Sequence, residues 1–61
     1  MKILKRYKGN ENKSFNWFEV DQNDVIKYCE GGGFWKQNTS LKVLKEFGTI
    51  QTAFSIWKLT K

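Results

Sequence analysis

The sequence predicts an α+β fold in a single domain spanning residues 1–61, and three observations carry that expectation. Two β-favouring runs, residues 1–8 (MKILKRYK) and 14–20 (SFNWFEV), flank the polar turn formers Gly9, Asn10, Glu11 and Asn12, the signature of an N-terminal β-hairpin. Residues 21–33 (DQNDVIKYCEGGG) read as a short helix closed by glycines. Leu41, Val43, Leu44 and Phe47 then share one side of a helical wheel with Lys42, Lys45 and Glu46 opposite, which predicts a second helix ended by Gly48.

In the first run Lys2, Leu4, Arg6 and Lys8 alternate with Ile3, Lys5 and Tyr7, so neither face is wholly apolar, as in an edge strand blunted with lysines. In the second, Asn16, Phe18 and Val20 share one face and Phe15, Trp17 and Glu19 the other. Asp21 stands at the N-cap of a helix over residues 22–30, Asp24 sits in its first turn, and Val20 and Val25 have the spacing of a hydrophobic staple. That staple turns Val20 and Phe18 inward and leaves Phe15 and Trp17 on the opposite face. Along the helix Val25, Ile26, Tyr28 and Cys29 share the apolar side, Asn23, Lys27 and Glu30 face water, and Gly31 supplies the left-handed residue that stops it. Phe34, Trp35, Lys36 and Gln37 read as a short strand, and Asn38, Thr39 and Ser40 as a turn or N-cap.

Residues 49–61 (TIQTAFSIWKLTK) admit two readings. Their Thr, Ile, Phe and Trp content favours a strand that would join the hairpin in a sheet backed by the helices. Ile50, Ala53, Phe54 and Trp57 also have helical spacing, and on that reading residues 40–58 resemble a helix-turn-helix. The resemblance implies Phe54 and Trp57 packed inward and Gln51, Thr52 and Ser55 facing a nucleic-acid groove. Leu44 and Thr49 depart from it, where the motif has alanine and an aliphatic residue.

Composition narrows function. Eleven Lys and Arg against six acids give a net charge of +5, which favours anionic partners. A chain of 61 residues with one cysteine and no histidine has no internal disulfide and no zinc-ligand set, so its core is expected to supply only about 3–5 kcal/mol. Ten aromatic residues, self-association or a partner must make up the rest. Cys29 is expected to be a buried small hydrophobe. No run is long enough to cross a membrane and residues 1–9 lack the apolar segment of a signal peptide, so a cytoplasmic location is expected.

No catalytic set emerges. There is no histidine, Cys29 has no base beside it, Asp21 and Asp24 are accounted for by capping, and the glycines at 31–33 follow a helix and lack the spacing of a phosphate loop. We therefore expect a non-enzymatic binding module without a cofactor. Lys5, Arg6, Lys8, Lys13 and Lys36 would neutralise the phosphates of nucleic acid or another anionic ligand, while Trp17 and Trp35 offer flat faces to unpaired bases. The competing roles are a solvated face for the lysines and core packing for the tryptophans.

In size and composition, a short Lys- and Asn-rich chain without proline or histidine that begins MKILKRYKGNENK, the sequence resembles small accessory proteins of bacteriophages. That resemblance implies a second class of partner, a host protein that the chain docks on and inhibits, and assigns no residue a role.

Overall fold

The structure, a computed structural model, describes residues 2–9 and 16–60. It is a small α+β domain in two layers: a four-stranded antiparallel sheet in the order β2-β1-β4-β3, with the helices on one face. Strand β1 is Lys2–Tyr7, β2 Phe18–Val20, β3 Thr49–Gln51 and β4 Ser55–Thr60. Helix α1, Gln22–Val25, continues directly into a π-helical segment, Ile26–Glu30, and α2 is Ser40–Phe47. Of the turn expected at Gly9–Asn12, positions 10–12 lie outside the described residues, as do Lys13 and Phe15.

The tail resolves as two strands, so the helix-turn-helix reading is overturned. Thr52 and Ser55, groove residues on that reading, are buried, because the Thr52 hydroxyl accepts the amides of Phe54 and Ser55, both at 3.3 Å, and closes the β3–β4 hairpin. Phe54, expected inward on the same reading, is 70% exposed at the hairpin tip. Strand β1 is also not an edge. Ile3 and Lys5 pair with Val20 and Phe18 on one side and with Leu59 and Trp57 on the other, so β1 occupies an interior position.

Alternation then sends Ile3, Lys5, Val20, Ile50, Trp57 and Leu59 to the helix side. There Val25, Cys29, Leu44, Ile50 and Trp57 form the buried core, with Ile3, Val20, Trp35, Leu41, Val43 and Leu59 packed around it. Ile26 and Tyr28, expected on the apolar helix face, are 38% and 43% exposed; only Val25 and Cys29, four residues apart, point fully into the core. Phe47 is likewise 69% exposed, since α2 ends at that residue and the chain turns back at Gly48.

Capping of α1 follows the sequence. The Asp24 amide donates to Asp21 Oδ1 at 3.0 Å, and Asp21→Ala is expected to cost about 0.5–2 kcal/mol in chemical denaturation. The far end differs from expectation. Gly31 is right-handed, φ −65°, and what it supplies is space, because a Cβ there would stand 2.6 Å from the Lys27 carbonyl oxygen. The left-handed residue is Gly33, φ +81°. Nor is 34–37 a strand: the amides of Phe34 and Trp35 both donate to the Cys29 carbonyl at 2.9 Å, folding this segment back onto the helix end.

Helix α2 is capped from a distance. Thr39 occupies the N-cap position without a side-chain bond, and Glu30 takes over. Its Oε1 accepts the Asn38 amide at 2.7 Å and its Oε2 accepts the amide of Ser40, at 3.2 Å, together with the Ser40 hydroxyl. Donation from that hydroxyl and from the Asn38 amide holds the Glu30 carboxyl below the usual carboxylate range. Expected on the water side, Glu30 instead ties the end of the first helical unit to the start of the second.

Candidate functional site

Among the sequence-derived candidates, Lys5 is corrected most sharply. Its side chain is 1% exposed and inside the domain, so it is not a surface phosphate ligand. Its ammonium lies 3.2 Å from Asp24 Oδ2 and 3.8 Å from the centre of the Tyr28 ring, with the Tyr7 and Trp57 rings at 5.0 and 5.1 Å. Trp57 Nε1 donates to the same Asp24 oxygen at 2.9 Å. One carboxylate thus partners a buried cation and a buried indole, with three aromatic rings around the cation, so the ammonium is partnered inside the domain and not offered to solvent.

Cys29 is fully buried, as expected. Burial first, and the charges of Glu30 and Asp24 next, push its thiol up to about 11, so at neutral pH it is a thiol. Thiol-reactive probes are expected to label it slowly in the native state and rapidly in denaturant, a contrast that mass spectrometry reads directly.

Among the described residues, no helix lies on the opposite face of the sheet. On it lie Lys2, Leu4 and Arg6 of β1, Ile56, Lys58 and Thr60 of β4, Glu19 of β2, and Thr49 and Gln51 of β3. Trp17, one residue before β2, belongs to this face. The Lys58 ammonium stands 4.2 Å from the centre of its ring and the Arg6 guanidinium 5.5 Å. Since β1 lies between β2 and β4 in the sheet, the indole reaches across β1 to meet Lys58 on β4. Trp17 is half-buried on its cation neighbours and takes no part in the core. Arg6 Nε is shielded from water and finds no hydrogen-bond acceptor among the described residues, which leaves an unused donor beside the indole.

This face therefore brings Arg6 and Trp17 together and adds Lys58, which sequence reasoning did not single out. Lys8 follows β1, its amide donating to the Phe54 carbonyl at 2.9 Å. Trp35 is half-buried against the core on the helix side, so the structure does not bring it together with Trp17, and Lys36 is exposed beside it. Lys13 lies outside the described residues.

A groove of about 410 Å³ opens on the helix side between β1, β2, β4 and α2, with a floor of Ile3, Val20, Leu41, Leu44 and Leu59. Lys45 on its rim is balanced by Asp21, and Lys2 and Glu19, which border it while alternation sends their side chains to the outer face, cancel each other, so it gathers no excess charge for an anion. Among the described strand residues, the outer face sets Lys2, Arg6 and Lys58 against one acid, Glu19. No helix of the described residues is long and apolar enough to cross a membrane. No protein family, curated protein or solved structure shows a significant match to this chain.

Proposed function

We propose that this domain is a non-catalytic binder of single-stranded nucleic acid that works through the outer face of its sheet. The observation that carries the reading is Trp17, held across that face between Arg6 and Lys58. A strand laid over the sheet would place a base on the indole, while the Arg6 guanidinium, Lys58 and Lys2 take the flanking phosphates. Lys58 rests on the ring in the free protein and would leave it for a phosphate as the base arrives.

Leu4 and Ile56 lie between these cations and give the surface an apolar floor. Such a floor suits unstacked bases, whereas a duplex keeps its bases stacked and offers a flat sheet mainly phosphates. The arrangement reads no sequence, because stacking and phosphate contacts are common to every base.

Fluorescence anisotropy with short labelled oligonucleotides tests this. With about three phosphates neutralised, the log–log salt slope on single strands is expected near −2, so raising salt about fourfold weakens binding about twentyfold. Replacing Arg6 and Lys58 together by glutamine should flatten the slope to about −0.7. Binding that ignores salt, or prefers duplex, overturns the proposal. Retention of one stoichiometric protein from nuclease-treated bacterial lysate, with no oligonucleotide binding, would replace it with the reading of a phage-type inhibitor docking on a host protein.

A further inference from the structure

The sheet has two edges, β2 and β3, and they are built differently. Strand β2 carries Glu19 and is followed by Asp21, charges of the kind that discourage edge pairing. Strand β3, Thr49-Ile50-Gln51, carries neither charge nor proline. The Leu59 amide donates to the Gly48 carbonyl and the Thr52 amide to the Ser55 carbonyl, both at 2.9 Å, and Ile50 pairs with Trp57 between them. Hydrogen bonds to β4 therefore fall at positions 48, 50 and 52, and the amides and carbonyls of Thr49 and Gln51 point away from the sheet. Both residues are exposed.

Two phenylalanines bracket this edge. Phe47, just before it, is 69% exposed and Phe54, just after it, is 70% exposed, the two most exposed large hydrophobic side chains among the described residues. Phe54 has the ring of Phe34 edge-on at 6.3 Å and still shows most of its surface, while Phe47 closes α2.

We infer that β3 pairs antiparallel with β3 of a second copy of this chain. The outward groups select the register: Thr49 of each copy lies opposite Gln51 of the other, each such pair exchanging both backbone bonds, and Ile50 faces Ile50 across the two-fold axis. In that register Phe47 of one copy comes beside the Ala53–Phe54 tip of the other, so each exposed phenyl ring meets one from the second copy. The one uncharged edge, its outward amides and the two bare rings are satisfied by a single symmetric contact.

The consequence is a continuous eight-stranded sheet, twice the four strands of one copy, with both helix layers on one side and both outer faces on the other. Two Trp17 sites then share one platform, with the two β1 strands five strand spacings apart, about 24 Å. A contact made by one short strand and its flanking rings is small, so the dimer is expected to dissociate in the micromolar range or above.

Sedimentation velocity from about 10 µM to about 1 mM is the test. The expected result is a shift from the 7.2 kDa monomer toward twice that mass as concentration rises. Gln51→Pro removes one outward amide, and Phe54→Ser removes one ring without touching the backbone bonds; each should return the protein to monomer, with folding checked by circular dichroism. Thr49→Cys combined with Gln51→Cys should give a covalent dimer with a short bifunctional thiol reagent, joining position 49 of one chain to 51 of the other, since a hydrogen-bonded pair sits slightly too wide for a direct disulfide. A wild-type protein that stays monomeric at about 1 mM overturns the inference. So does a dimer that survives both single substitutions, or one whose double-cysteine variant forms no 49-to-51 crosslink. None of these outcomes depends on nucleic-acid binding.

Discussion

Lys5→Ala is expected to unfold the domain. The side chain is 1% exposed, and the substitution would remove the ammonium beside Asp24 and leave a cavity between the Tyr28, Tyr7 and Trp57 rings. Breaking one partner of a fully buried ion pair typically costs about 3–5 kcal/mol; Asp24 is 23% exposed and keeps the Trp57 bond, so the lost charge contributes only part of that and the cavity among the rings supplies the rest. A domain of this size has roughly 3–5 kcal/mol to lose. Far-ultraviolet circular dichroism at 25 °C should therefore show a largely unfolded chain, where a surface lysine would have changed stability by less than about 0.5 kcal/mol.

The same argument predicts a partial rescue. Lys5→Met combined with Asp24→Asn removes both charges together, keeps an unbranched side chain among the rings and leaves Trp57 Nε1 an amide oxygen to donate to. Replacing a buried pair by uncharged groups of similar volume is often close to neutral, so the double variant should be more stable than Lys5→Ala and than Lys5→Met alone. A double variant no more stable than either would show that the ion pair is not what holds this part of the core.

How much of this was legible in the chain depended on the sequence distance over which each interaction closes. The cap of α1 was readable because Asp21 and Asp24 are three residues apart, and Cys29 because it follows Val25 by four. Lys5 was misread because the groups that bury it, Asp24, Tyr28 and Trp57, come from other elements, and an isolated strand with a lysine on each face looks like an edge. Glu30 was misread for the same reason, since the amides it caps belong to the next helix. The tail was ambiguous because Ile50, Ala53, Phe54 and Trp57 fit a helical period, while hairpin closure by the Thr52 hydroxyl shows only once the chain is folded. Lys58 had a signal that went unused. Once residues 55–60 are a strand, burial of Trp57 forces Ile56 and Lys58 to the outer face, in reach of a Trp17 already placed there.

The two tryptophans on opposite faces of the sheet should respond in opposite ways. Trp57 is fully buried and bonded to Asp24, so Trp57→Ala should cost about 3–5 kcal/mol and leave little folded protein to assay. Trp17 touches Arg6 and Lys58 and lies outside the core. Its cation contacts at a partly solvated site are worth about 0.5–1 kcal/mol each, and the lysine and arginine regain hydration when the ring is removed. Trp17→Ala should accordingly change stability by less than about 1 kcal/mol in chemical denaturation, while weakening single-stranded oligonucleotide binding by about 1–3 kcal/mol, roughly 5- to 150-fold. Trp17→Phe, which keeps a flat face, should recover part of that loss, whereas Trp17→Leu, which keeps apolar bulk alone, should not. An unfolded Trp17→Ala variant would make this indole a structural group and remove it from the site. A folded variant that binds oligonucleotide at full strength would leave Arg6, Lys58 and Lys2 as a purely electrostatic surface, with no base stacked on the sheet.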